Sequence, residues 1–156
     1  MTASVDLPSA FAAIVDDFQA LTEPDRLQLL LEFAEGLPEL PARYADHPEL
    51  LEPVPECQSP VFLAVEVETP DGGTAGPASP VTVILSAPRE SPTTRGFAGI
   101  LTEGLAGLDA AGVLAIPDDV SHRLGLDRAV SPLRLRGMAG MLGRIKRQVR
   151  ERTGSV

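Results

Sequence analysis

Six prolines stand between residues 37 and 60, at positions 38, 41, 48, 53, 55 and 60. Proline lacks a backbone N–H, fixes φ and pushes the residue before it out of the helical region. Neither a long helix nor a central strand can therefore run through this stretch. It is also no free linker, because Leu37, Leu40, Tyr44, Leu50, Leu51 and Val54 lie within it. The expectation is an ordered loop over the core, with one helical turn near Ala42–Asp46. Its last part, Pro53-Val54-Pro55-Glu56-Cys57-Gln58-Ser59-Pro60-Val61-Phe62-Leu63, holds the chain's single cysteine on a stiff, extended segment.

Before the prolines the pattern is helical. Phe11, Ile14, Val15 and Phe18 share a helical face over residues 9–21, with Ser9 as the expected cap. Thr22-Glu23-Pro24-Asp25 reads as the start of a second helix, with Thr22 as cap, proline in the first turn and acids at the positive end of the dipole. Its face is read as Leu27, Leu30, Leu31 and Ala34, and Gly36 with Pro38 ends it.

After the prolines the period changes to two. Val61, Leu63, Val65 and Val67 alternate, and Val81–Ser86 returns as an antiparallel partner after a Gly- and Pro-rich connection. Helices follow: one opened by Ser91-Pro92 or, more safely, from about Gly96; a short one over 109–115; one from Ile116-Pro117 to Gly125; and a last one from about Leu135 to Arg152. In that last helix Met138, Met141, Leu142, Ile145 and Val149 face inward, with Arg144, Arg147 and Arg150 outward. Gly99 and Gly104 weaken their helix by propensity and so mark close packing. Strands segregated from helices indicate an α+β fold, a small antiparallel sheet of two or three strands against a cluster of helices. At 156 residues this is one domain, with about eight N-terminal and four C-terminal residues expected to be flexible.

Charge narrows the function. The formal net charge is -9, which speaks against a nucleic-acid partner. The charge is also polarised: residues 1–70 carry 14 acids and 2 bases, residues 134–156 carry 7 bases and 1 acid. The plain reading is a basic helix face complementing an acidic body. No apolar run spans a bilayer and no signal sequence opens the chain, so the expectation is a cytoplasmic protein with a reduced thiol and no membrane partner.

On its residues alone, Cys57 is open to two readings: a small buried hydrophobe or a reactive thiol. Cys57, His47 and His122 make no metal cluster by spacing, and no metal or other cofactor is expected. The pairs Asp16-Asp17 and Asp118-Asp119 point to different helix sides and do not suit acid–base work.

Three segments, in order, resemble the SufE family of sulfur-acceptor proteins. They are Glu23-Pro24-Asp25-Arg26-Leu27 through Gly36-Leu37-Pro38-Glu39-Leu40, then Val54-Pro55-Glu56-Cys57-Gln58-Ser59-Pro60-Val61, and Ser131-Pro132-Leu133-Arg134-Leu135-Arg136-Gly137-Met138. The resemblance runs from about Phe11 to Val149 and implies the SufE/IscU-like α+β fold, with a short third strand near Thr93–Arg95. It implies that Cys57 takes persulfide sulfur from a cysteine desulfurase (SufS-type), stimulates that enzyme and passes sulfur to an iron–sulfur scaffold. Arg134 falls on an arginine near that cysteine, in a supporting role. Such a protein is a sulfur-transfer accessory rather than a stand-alone enzyme. A carrier charged by a rhodanese-type sulfurtransferase and an adaptor with a merely structural Cys57 are the alternatives. Glu56 stands where the family often has glycine, and a carboxylate there raises the neighbouring thiol's pKa.

Overall fold

In a computed structural model, which describes residues 7–70 and 73–154, a proline-bearing pair of residues forms the sheet's edge. Strand β1 is Glu52–Pro53, β2 is Phe62–Val67 and β3 is Val81–Ser86, paired antiparallel in the order β1-β2-β3. Proline is tolerated there because an edge residue need not donate to a neighbour. The register sets Pro53 opposite Phe62, Phe62 opposite Ser86 and Val67 opposite Val81.

The third strand is thus Glu52–Pro53 and not Thr93–Arg95. Those three residues lie in helix α4, Pro92–Gly104. Pro92 occupies its first turn, where a missing N–H breaks no intrahelical bond, so the helix starts at the proline and not at Gly96.

Among the described residues six helices surround the sheet: α1 Ser9–Gln19, α2 Glu23–Glu35, α3 Ala42–Ala45, α4, α5 Ala110–Leu114 and α6 Pro132–Thr153. Val120–Leu124, expected as a helix, is a 3-10 turn closed by Gly125. Helix α4 is the central element, with Thr94 through Leu101 buried without a break. The expected inner faces of α1 and α6 are buried as read.

The inner face of α2 is rotated from the expected one. Leu30 and Ala34 are buried, with Leu29 and Phe33 half-buried, whereas Leu27 and Leu31 are exposed. The cause is a backbone contact: α4 presents Gly96 and Gly99 to α2 at Leu30 and Phe33. Neither expected cap forms: Ser9 lies inside α1 with Pro8 at the cap position, and the Thr22 hydroxyl donates to Asp25 at 3.2 Å and caps nothing.

The proline-rich stretch covers the sheet's second face. Tyr44 of α3 packs on Ala64 and Ile84, with Leu40 and Leu51 beside them. The Tyr44 hydroxyl and the Arg43 guanidinium both bond to Glu66 on β2. Of the tails expected to be flexible, Leu7 is buried, Pro8 precedes α1 and Thr153 ends α6; residues 1–6 and 155–156 lie outside the described residues.

Candidate functional site

Cys57 ends a 3-10 turn, Pro55–Cys57, at the tip of the β1–β2 connection. The turn forms because Pro55 presets φ and supplies the first-turn position. Gln58, the next residue, has φ 55°, a left-handed conformation uncommon outside glycine. It reverses the chain so that Ser59 and Val61 return to β2. The base of the loop is closed by the Val54 N–H donating to the Val61 carbonyl at 2.9 Å, and both valines are buried.

The tip rests on α6. The Cys57 thiol is half-buried and donates to the Gly137 carbonyl at 3.6 Å. Two glycines make room for it. A Cβ at Gly137 would sit 3.3 Å from both Cα and Sγ of Cys57, and one at Gly140 would sit 2.8 Å from Cβ of Glu56. Gly137 is therefore the floor under the thiol, which explains the glycine within the Ser131–Met138 segment.

Arg134 opens onto the same place. With Cys57, Gln58, Ser59, Ser131 and Leu133 it lines a cleft of about 300 Å³. Ser131 caps α6, its hydroxyl accepting from the Arg134 N–H at 3.3 Å, and the guanidinium reaches the Thr94 hydroxyl at 3.5 Å. The Ser59 hydroxyl shares a 3.0 Å hydrogen bond with that of Ser91, just before α4. The elements carrying the three sequence segments thus converge: α2 supports α4, and the loop and the start of α6 face each other across the cleft. His47 and His122 are exposed, each beside a carboxylate, Glu49 and Asp127. Neither lines the cleft. Among the described residues, no group of three or more His, Cys, Asp and Glu is placed to hold a metal ion.

Arg144, read as an outward residue, belongs to the site. Its Nε and Nη2 donate to the two carboxylate oxygens of Glu56 at 3.0 and 3.1 Å, and its Nη1 donates to Glu52 at 2.7 Å. Arg147 and Gln148 also bond Glu52, and the Gln148 amide oxygen accepts from the Val65 N–H at 3.0 Å. The basic helix thus neutralises the acids that flank the cysteine. The signal available in the sequence is the charge polarity between the two ends of the chain.

Burial pushes the Cys57 thiol up to about 11, with the Glu56 carboxylate adding to the rise and Arg144 opposing it. At that value only about one thiol in ten thousand is ionised at pH 7. The docked cysteine is a protonated, slow nucleophile. Because docking raises the pKa, the docked loop holds its proton more tightly than a free one; rising pH, from about 9 towards 11, weakens docking.

The model of the SufE family, described as an Fe-S metabolism associated domain, matches residues 12–149. The chain belongs to the SufE family. An uncharacterized SufE-like protein of Mycobacterium tuberculosis is 50% identical over 151 residues, covering 97% of this chain and 99% of that one. SufE-like protein 1, chloroplastic/mitochondrial, of Arabidopsis thaliana is 27% identical over 138 residues, 88% of this SufE-family chain and 34% of that protein. In three dimensions the chain is similar to a hypothetical protein from Thermus thermophilus whose solution structure is known. The TM-score is 0.75 at 36% identity, covering 93% of this chain and 96% of that one. SufE membership brings a sulfur-transfer role tied to iron–sulfur metabolism. No helix among the described residues is long and apolar enough to cross a membrane.

Proposed function

We propose that this SufE-family chain is a persulfide carrier that takes sulfur from a cysteine desulfurase onto Cys57, stimulates that enzyme, and passes the sulfur to an iron–sulfur scaffold. The observation that supports this best is the mounting of the thiol. A single cysteine sits on a short turn between two buried anchors, beside an open cleft with a guanidinium on its rim.

The chemistry is thiol–persulfide exchange. The Cys57 thiolate attacks the terminal sulfur of the donor persulfide. A new S–S bond forms on Cys57, the donor's S–S bond breaks, and the donor cysteine leaves as thiolate. One nucleophile suffices, with no net oxidation. Because the docked thiol is protonated, transfer follows lifting of the turn into a more polar setting, where the pKa falls back towards the ordinary thiol value. Arg134 supports the step by holding positive charge beside the sulfur as it becomes anionic.

Cys57→Ser should abolish sulfur acceptance from a desulfurase supplied with free cysteine, measured as protein-bound sulfane sulfur. Acceptance retained by Cys57→Ser would overturn the reading and favour a structural cysteine. Arg134→Ala should slow acceptance by roughly a hundredfold, the lower end of what losing one electrostatic contact to the developing charge costs; an unchanged rate removes Arg134 from the mechanism. Charging by a rhodanese with thiosulfate, but by no desulfurase, would reassign the donor.

A further inference from the structure

The turn that carries Cys57 is built to lift without disturbing the sheet. Val54 and Val61 fix its two ends at one point, and the hydrogen bonds inside it are local: Cys57 N–H to the Val54 carbonyl at 3.1 Å and Gln58 N–H to the Pro55 carbonyl at 3.0 Å. Outward, among the described residues, three side chains bind it down. These are the weak thiol contact to Gly137, the Ser59–Ser91 hydroxyl pair, and Glu56 on Arg144. Only the last is charge-assisted and two-pronged, and so it is the strongest of the three.

Arg144 is gripped from the other side. Its third contact is Glu52, on strand β1, and Glu52 is itself fixed by Arg147 and Gln148. One arm of the guanidinium thus holds strand β1 while two arms hold the turn. Gly140 beneath lets the Glu56 side chain lie close enough for the fork to close.

We propose that Arg144 is the latch of the Cys57 loop: braced on Glu52, it holds Glu56 down and keeps the thiol docked on α6 until the fork is broken. This rests on the reading of Cys57 as the carrier thiol and adds how it is kept from reacting away from its partner. The side chains of Arg144 and Glu56 are 29% and 38% exposed, so the pair is within reach of a docking protein and open to screening. Lifting the turn uncovers Glu56 and Arg144 together. A partner that offers a base to the first or an acid to the second favours the open loop in proportion to that difference in binding.

A latch and a simple charge effect have opposite signs, which makes the test decisive. Arg144 also draws the thiol's pKa downward. If that were its only role, removing it would make thiolate rarer and alkylation slower. The latch requires the reverse. The experiment is the rate of iodoacetamide modification of Cys57 in the native protein at fixed pH, with no desulfurase present. Arg144→Ala should react about tenfold faster than the parent, the order expected for loss of a bidentate, partly exposed pair that gates a local opening. Arg144→Gln, which keeps the stem's packing, replaces it if the alanine variant is unfolded, with the same expectation. Gly140→Ala keeps both charges but wedges Glu56 off the helix and should also accelerate the reaction. A rate in folded Arg144→Ala or Arg144→Gln equal to or below the parent's overturns the latch. Failure of the parent to accept sulfur from a desulfurase would instead overturn the carrier reading and leave this comparison of rates intact.

Discussion

Gly99→Ala is expected to lower the unfolding free energy by about 2–3 kcal/mol, although alanine is the better helix former. Helical propensity alone predicts a gain of roughly 1 kcal/mol. Against it stands the crossing of α2 and α4. A Cβ at position 99 would lie 2.2 Å from the carbonyl oxygen of Phe33 and 2.8 Å from its carbonyl carbon. Both are backbone atoms, so no rotamer change relieves the clash and α2 must move as a body. Gly96, one turn earlier, is in the same position against the Leu30 carbonyl, at 2.5 Å. The shift reaches the site, because the residues opening α4 touch it: Ser91 binds Ser59 and Thr94 binds Arg134. A urea titration should show a lower midpoint at unchanged slope. A midpoint equal to or above the parent's would mean that the two helices do not cross here.

Arg95→Ala should be similarly damaging, with a loss of roughly 3 kcal/mol and a melting temperature lower by about 10 °C. Arg95 is buried at the start of α4, and its ion pair with the exposed Glu39 is a long one, at 3.9 Å. Its guanidinium donates instead to three backbone carbonyls, Ala34 at 2.9 Å, Ala87 at 2.6 Å and Leu37 at 3.4 Å. The first is among the last carbonyls of α2, which have no partner within the helix; the second follows β3; the third lies in the Gly36–Leu40 segment. One side chain therefore ties the end of α2, the exit of β3 and the proline-rich stretch to the central helix. Truncation to alanine takes the guanidinium donor from the Ala87 and Leu37 carbonyls and leaves the Ala34 carbonyl only the long bond from the Leu37 N–H at 3.4 Å. Arg95→Lys should recover part of the loss, since an ammonium cannot span all three with the same geometry. Differential scanning calorimetry of the pair checks this; a melting temperature for Arg95→Ala within a degree or two of the parent's would contradict it.

The sequence disclosed what depends on local period and on short motifs. The α6 face at Met138, Met141, Leu142, Ile145 and Val149 is legible because 3.6-residue spacing survives over the whole helix, and β2 because valines and leucines alternate with it. Cys57 is legible as a candidate because it is the only thiol and stands in a recognisable segment. What could not be read depends on partners distant in the chain. Strand β1 is two residues long and contains Pro53; nothing local marks it as a strand, and only pairing with β2 makes it one. The face of α2 is set by two glycines on another helix. Arg144 reads as outward because an arginine mid-helix, off the apolar face, faces water by default. Its acids are 88 and 92 residues away in sequence, and only folding brings the acidic loop to the basic helix. Arg95 illustrates the same limit: within a helix that reads as apolar, a buried arginine is invisible until the carbonyls around it are known.

The geometry of the site unites two facts that pull in opposite directions, a nucleophile and a high pKa. A thiol pressed onto α6 and beside Glu56 is protected because it is protonated and half-covered. On the carrier reading proposed above, the same thiol becomes reactive once the turn between Val54 and Val61 lifts. Protection and transfer are then two positions of one short loop.

The most direct test of the central claim is the mass of the protein after incubation with a cysteine desulfurase and free cysteine under non-reducing conditions. The expected result is a gain of one sulfur atom, located on the Cys57 peptide, removed by a thiol reductant and absent in Cys57→Ser. A Cys57 peptide of unchanged mass, while the desulfurase turns over its substrate and carries its own persulfide, would contradict it.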